Sequence, residues 1–314
     1  MLPSLALRRG LIERRAAPLR AASQEVLLDC GEGVRLQSFH SSPARIGAPS
    51  LDRLAVLLHG WEGSADSLYV VSLAQSLFER GFDVVRLNLR DHGETHHLNR
   101  ELFHSCRLPE VIGALQRVQS LYPKLPMSLV GFSLGGNFML RAAARARESN
   151  LDIERVIALS PVLEPNETLI ALEKGWFAYQ AYFVRKWVRS LLKKQAAWPG
   201  DYEFGDLTRG KGLRHMTAEL VGRFTEYGDL DAYLNGYSIT GDALAPLEVP
   251  SHIITSVDDP IIPVGDLAKI SKPRALHITT LEHGGHCGFA EAVMRPSWAE
   301  GRIVEELTAP PAAT

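Results

Sequence analysis

The chain has 314 residues, 46% of them hydrophobic, which is enough for a substantial core in one large domain or two small ones. Lys and Arg number 34 against 36 Asp and Glu, and the resulting net charge of −2 excludes the strongly basic balance of a nucleic-acid binder. Cys30, Cys106 and Cys287 are scattered, without C-x-x-C spacing, so they read as reduced thiols and exclude a disulfide framework or a cysteine zinc site.

Residues 1–22 carry Arg8, Arg9, Arg14, Arg15 and Arg20 against Glu13 alone. They are read as a mobile basic tail, in preference to a targeting peptide or a surface-binding helix. Arg8-Arg9 lacks the apolar segment that an export signal needs, and no apolar run has bilayer-spanning length. A cytoplasmic protein is expected. The stretches 25–29 and 35–39 flank the turn Cys30-Gly31-Glu32-Gly33 and predict an opening β-hairpin.

Residues 54–58 are a continuous apolar run, the pattern of a parallel strand buried on both faces, and lead into His59-Gly60-Trp61-Glu62-Gly63-Ser64. Helical periodicity follows over 66–80 and stops at Gly81. A strand is predicted over 83–87, a loop over 88–99 and a helix over 108–121. The strand 127–130 feeds Gly131-Phe132-Ser133-Leu134-Gly135, with a helix expected over 138–147 and the next strand over 156–159.

The rhythm then breaks. Between 164 and 242 lie Trp176, Phe177, Tyr179, Tyr182, Phe183 and Trp187 among Lys and Arg, with helical pattern over 168–197 and 216–224. Strands resume over 251–256 and 275–280, and a closing helix is expected over 289–307. The alternation predicts an α/β fold, with a mostly parallel sheet flanked by helices and joined by right-handed crossovers. The domain reading is a tail at 1–22, a core made of 23–163 and 243–308, a helical cap inserted at 164–242 after the strand ending near Leu159, and a short tail at 309–314.

G-x-S-x-G between a strand and a helix is the pattern of a nucleophile elbow, which makes Ser133 the candidate nucleophile. A serine hydroxyl needs a base to remove its proton, and that base needs an orienting carboxylate. The acid is sought in Val257-Asp258-Asp259-Pro260, at the carboxyl end of a predicted strand, where ligands gather in such sheets. Asp259 is chosen because Pro260-Ile261-Ile262-Pro263 stiffens its loop; Asp258 is the alternate and would otherwise brace that loop. His286, between the last strand and the last helix, is the candidate base, and His283 is set aside as a solvated loop residue. The oxyanion donors are assigned to the amides of Trp61 and Leu134.

With these pieces together the chain resembles the YheT-like α/β-hydrolases, a branch of the α/β-hydrolase superfamily described as esterases or hydrolases. The resemblance spans residues 25–307. It is carried by His59-Gly60-Trp61-Glu62-Gly63-Ser64, by Gly131-Phe132-Ser133-Leu134-Gly135-Gly136-Asn137, and by the Asp258-Asp259-Pro260 and Gly284-Gly285-His286-Cys287-Gly288-Phe289 segments. It implies an α/β-hydrolase fold and charge-relay roles for Ser133, Asp259 and His286. The chain departs from the family where Arg90-Asp91-His92-Gly93-Glu94-Thr95-His96-His97 replaces an R-G-x-x-G type of loop, which bears on substrate selection.

Asp91, His92, His96, His97 and His104 fit none of the common zinc spacings, and they are read as a polar loop near the mouth of the site with no metal. No Gly-rich phosphate motif is present, so no cofactor is expected. The cap is read as a lid over an acyl pocket. Its Trp176, Tyr182 and Trp187, with Arg185, Lys186, Lys193 and Lys194, suggest a weak lipid-surface contact. The expected activity is a carboxylic ester hydrolase acting on small acyl esters, with an acyltransferase or a non-catalytic acyl-ligand binder as alternatives.

Overall fold

In the computed structural model, which describes residues 2–209, 212–289 and 296–309, one eight-stranded sheet runs through the molecule. Its strands are β1 (Ser23–Asp29), β2 (Arg35–Ser41), β3 (Leu54–Leu58), β4 (Asp83–Leu87), β5 (Met127–Phe132), β6 (Ile153–Leu159), β7 (Ser251–Ser256) and β8 (Leu276–Leu281). The spatial order is β1-β2-β4-β3-β5-β6-β7-β8. β1 and β2 form the opening antiparallel hairpin, β2 also runs antiparallel to β4, and the remaining pairs are parallel. This is the α/β-hydrolase arrangement expected of the sequence.

Apolar residues on both faces of the central strands create two cores. In β3, Leu54, Val56 and Leu58 point into one core while Ala55 and Leu57 point into the other, as the period of two requires. The first core is covered by α4 (Leu108–Leu121), α5 (Leu134–Ala143) and the cap, and the second by α3 (Leu68–Glu79) and α10 (Trp298–Thr308). Burying apolar surface at roughly 25 cal/mol per Å² makes these two layers the main stabilising term.

The mobile-tail reading of 1–22 gives way to two docked helices, α1 (Leu2–Arg15) and α2 (Ala17–Ala21). Ala16, Leu19 and Ala22 are buried in the second core. Two of the five basic residues that suggested a solvated tail have partners far along the chain: Arg15 donates to Ser76 Oγ at 3.0 Å and pairs with Glu79, and Arg20 reaches Asp66 at 3.1 Å.

The cap consists of α6 (Pro165–Lys174), α7 (Phe177–Ala197), α8 (Leu213–Phe224) and α9 (Leu230–Asn235). The helix expected over 168–197 is therefore two helices. α6 stops where the Gly175 amide donates to Ala171 O at 2.8 Å, and a side chain at Gly175 would meet that same carbonyl. α9 carries no signal in the hydrophobic pattern, being only six residues long; Asp229 caps it by accepting from Ala232 N at 2.8 Å. α7 and α8 share a small core of Leu191, Tyr202, Phe204, Leu207, Met216 and Leu220. The closing helix begins at Trp298 rather than 289, with Ser297 as its N-cap, and residues 290–295 of the expected span lie outside the described residues. Of the lipid-facing set suggested above, Trp176 and Tyr182 are 66% and 53% exposed, whereas Lys194 is buried. Trp187 packs inward against Trp61. Among the described residues no helix is long and apolar enough to cross a membrane.

Candidate active site

β5 delivers Ser133, the candidate nucleophile. The chain turns so tightly at its end that a Cβ on Gly131 would strike the Gly135 carbonyl, and one on Gly135 would strike the carbonyls of Leu58 and His59. Only glycine leaves room for that approach. Ser133 takes φ 52° and ψ −119°, a strained conformation for a non-glycine residue. It is held by its own N–H to Leu159 O at 2.8 Å and by Asn137 N donating back to Ser133 O at 3.1 Å. The buried Asn137 amide in turn donates to Val162 O at 2.9 Å and Tyr237 O at 2.8 Å, tying the elbow to the cap. α5 starts at Leu134, immediately after the serine and earlier than the expected 138.

The three candidate residues meet at the carboxyl ends of β5, β7 and β8. His286 Nε2 lies 3.0 Å from Ser133 Oγ, and His286 Nδ1 lies 2.9 Å from Asp259 Oδ2 and 3.1 Å from Oδ1. With Nδ1–H donating to the carboxylate, Nε2 is left free to accept from the serine hydroxyl. Asp259 is fixed by two backbone donors, Ile261 N at 2.9 Å and Ile262 N at 3.0 Å, in the loop that Pro260 and Pro263 stiffen.

Asp258 stands elsewhere. Its Oδ1 accepts from Gly284 N and Gly285 N, each at 2.8 Å, and these two donors hold its pKa down to about 2. It braces the loop that carries His286 rather than touching the imidazole. His283 is 89% exposed, 3.4 Å from Asp258.

Trp61 and Leu134 both line the cavity beside Ser133. A Cβ on Gly60 would come within 3.1 Å of Ser133 Cβ, so the loop carrying Trp61 lies directly over the nucleophile. Two side chains that the sequence did not single out for this purpose hold that loop. Tyr69 Oη accepts from Gly60 N at 3.1 Å, and His92 Nε2 accepts from Glu62 N at 3.1 Å. His92 Nδ1–H donates to Arg90 O at 2.7 Å, and burial pushes its pKa down to about 4, which keeps the ring a neutral acceptor. The cap grips the same loop: Lys186 Nζ donates to Glu62 O at 2.7 Å, and the Trp61 ring stacks on Phe183 with centroids 5.4 Å apart. No local sequence signal marks Tyr69 or Lys186 for this task.

The segment read as a polar loop at the mouth is instead a buried strut between sheet and cap. Lys194 of α7 donates to Asp91 Oδ1 at 2.9 Å, Asn99 O at 2.6 Å and Glu101 O at 2.9 Å. His96 Nε2 pairs with Ser190 Oγ at 2.8 Å. Lys194, Asp91 and His96 each find a partner across the interface, which is why these polar residues can sit inside. His104 packs against Tyr227 and Tyr233, while His97 is exposed. Among the described residues no group of three or more His, Cys, Asp or Glu side chains is disposed to hold a metal ion.

Above Ser133 and His286 lies a cavity of about 1020 Å³. Toward the cap its walls are apolar and aromatic, among them Leu172, Tyr179, Phe183, Trp187 and Leu213. The arrangement offers a serine hydroxyl, an imidazole placed to accept its proton and a mainly apolar chamber.

Residues 55–232 match the family model described as alpha/beta hydrolase fold. The chain is 30% identical over 264 residues to the Escherichia coli (strain K12) protein named esterase YheT, covering 81% of this chain and 76% of that one. It is 25% identical over 213 residues to the Danio rerio monoacylglycerol lipase ABHD2, covering 61% of this chain but only 48% of that protein. Among solved structures, the Pyrococcus furiosus esterase Pf2001 superposes with a TM-score of 0.61 at 14% identity, covering 91% of this chain and 89% of the other, a likeness of fold alone.

Proposed function

The chain belongs to the α/β-hydrolase family, in its YheT-like branch of ester hydrolases, and from that premise we propose that it cleaves acyl esters through an acyl-enzyme formed on Ser133. The observation that carries this reading is the unbroken hydrogen-bonded line from Ser133 Oγ through His286 to Asp259 on the floor of the cavity. Ser133 Oγ attacks the acyl carbon as His286 Nε2 takes the hydroxyl proton. Asp259 holds the imidazole in orientation and stabilises the cation that forms. The amides of Trp61 and Leu134 receive the oxyanion; a single such donor is worth about a hundred- to a thousand-fold in rate. The tetrahedral intermediate collapses, the C–O bond to the alcohol breaks, and His286 returns its proton to the leaving oxygen. Water then repeats the sequence on the acyl-enzyme and releases the acid. The acyl chain lies under the cap, among the aromatic walls.

The test is labelling with a fluorophosphonate probe, followed by turnover of p-nitrophenyl esters from acetyl to long-chain, beside Ser133→Ala. Removing the nucleophile should lower kcat by about a million-fold and abolish labelling. An unlabelled wild-type protein, or turnover that survives in the variant, would overturn the reading.

A further inference from the structure

The cavity crosses from one face of the sheet to the other. Its cap-side walls, including Leu134, Val162 and Leu169, belong to the first core. Beyond Ser133 it continues into a second arm between α1, α3 and α10, lined by Ile12, Tyr69, Leu73 and Ile303 from the second core. One chamber therefore has two chemically different ends.

The second arm is set up for negative charge. Arg8 and Arg9 of α1 line it, and neither has a hydrogen-bond or ion-pair partner among the described residues. The carboxylates on the same arm are already engaged. Asp66 is paired with Arg86 at 3.0 Å and Arg20 at 3.1 Å. Glu300 accepts from Ser72 at 2.7 Å and from Ser76, and lies 3.6 Å from Arg15. Among the described residues these two guanidiniums are left without a paired carboxylate, and they share the cavity lining with the hydroxyls of Ser64, Ser67 and Ser297. A guanidinium fork matches a carboxylate or phosphate bidentately, and partly desolvated walls strengthen the attraction. The arm also adjoins His286, which in the proposed mechanism returns the proton to the leaving oxygen. Cys287 and Gly288, which follow His286 directly, line the cavity, and Cys287 packs on the second core.

We propose that this second arm binds an anionic group, a phosphate or a carboxylate, on the alcohol half of the ester. The natural substrate is then an amphiphile, with its apolar acyl chain under the cap and its charge at Arg8 and Arg9. This rests on the serine-hydrolase reading for the position of the ester bond.

Three octanoyl esters test it: octanoyl glycerol as the neutral reference, octanoyl glycerol phosphate, and octanoyl glycolate. Wild-type kcat/KM should favour an anionic ester by about tenfold or more, and that ratio should fall about tenfold in Arg8→Gln/Arg9→Gln and at high salt. The phosphate and glycolate arms separate the two anions. Arg8→Lys/Arg9→Lys, which keeps the charge, should retain most of the preference. A ratio equal in wild type and the Gln variant would overturn the proposal. Binding gives a readout free of turnover. In Ser133→Ala protein, octyl phosphate and octyl succinate titrated by calorimetry should bind about tenfold more weakly once both arginines are Gln. Unchanged binding of both would sink the anion site, whereas failure of every ester to turn over would sink the hydrolase reading instead.

Discussion

Two adjacent carboxylates divide the work around His286. Asp259 faces the imidazole and Asp258 faces the backbone of the loop that carries it, so their substitutions should separate cleanly. Asp259→Asn permits the wrong tautomer at Nδ1 and should lower kcat by about ten-thousand-fold. Asp258→Ala removes two backbone acceptor bonds from an exposed loop and should cost less than about tenfold in kcat, with a lower Tm. Steady-state assays on the two variants decide the matter; equal losses would mean that the acid has been misassigned. The sign of the Asp258 shift adds a further expectation. A carboxyl whose folded pKa is depressed contributes stability above its unfolded pKa of 3.8 and loses it as pH falls toward about 2, so its hold on the loop persists at every ordinary working pH.

At the scale of elements, the cap is fastened through one buried lysine. Burial pushes Asp91 up to about 6 and pulls Lys194 down, yet the two remain 2.9 Å apart with backbone carbonyls completing the ammonium's shell. Lys194→Met leaves Asp91 buried without a counter-charge and should cost about 3–5 kcal/mol, read as a lower Tm and faster proteolysis within 165–235. Asp91→Asn/Lys194→Met should recover much of that loss, and a neutral outcome for the single variant would show the strut to be idle. This strut also marks where the sequence stopped being legible. The tight turn at Ser133 could be read because its glycines answer a clash within five residues, and the placing of Asp259 and His286 beside it because they follow strand ends in chain order. Lys194 and Asp91 are 103 positions apart, and nothing local distinguishes that lysine from its solvated neighbour Lys193. For the same reason the first two helices looked like a tail: the counter-charges of Arg15 (Glu79, Glu300) and of Arg20 (Asp66) come from distant segments.

For the molecule as a whole, buried imidazoles set the response to acid. Burial holds His92 and His96 down to about 4 and His104 to about 3, and keeps His59 well below 6.5. Burial also raises Glu62 to about 7 and Asp91 to about 6. The sign follows from which state binds more protons. Between pH 6.5 and 4.5 unfolding lets four histidines take up protons, against two carboxyls that release them. The net uptake of about two protons makes stability fall on acidification by about 3 kcal/mol per pH unit, and the depressed carboxyls of Glu79, Glu101 and Glu306 act in the same direction. Calorimetric Tm should therefore drop steadily through that window; a flat or rising Tm would contradict the sign. One further consequence lies in the sheet itself. The cap leaves after β6 and rejoins the chain ahead of β7, and its two ends are tied where Ile239 N donates to Leu163 O at 3.0 Å. The ends of the insertion thus stay close whatever its length, and each doubling of a flexible insertion costs only about 0.6 kcal/mol in closure entropy. The cap can therefore be lengthened, shortened or exchanged while Ser133, Asp259 and His286 stay anchored to strand ends.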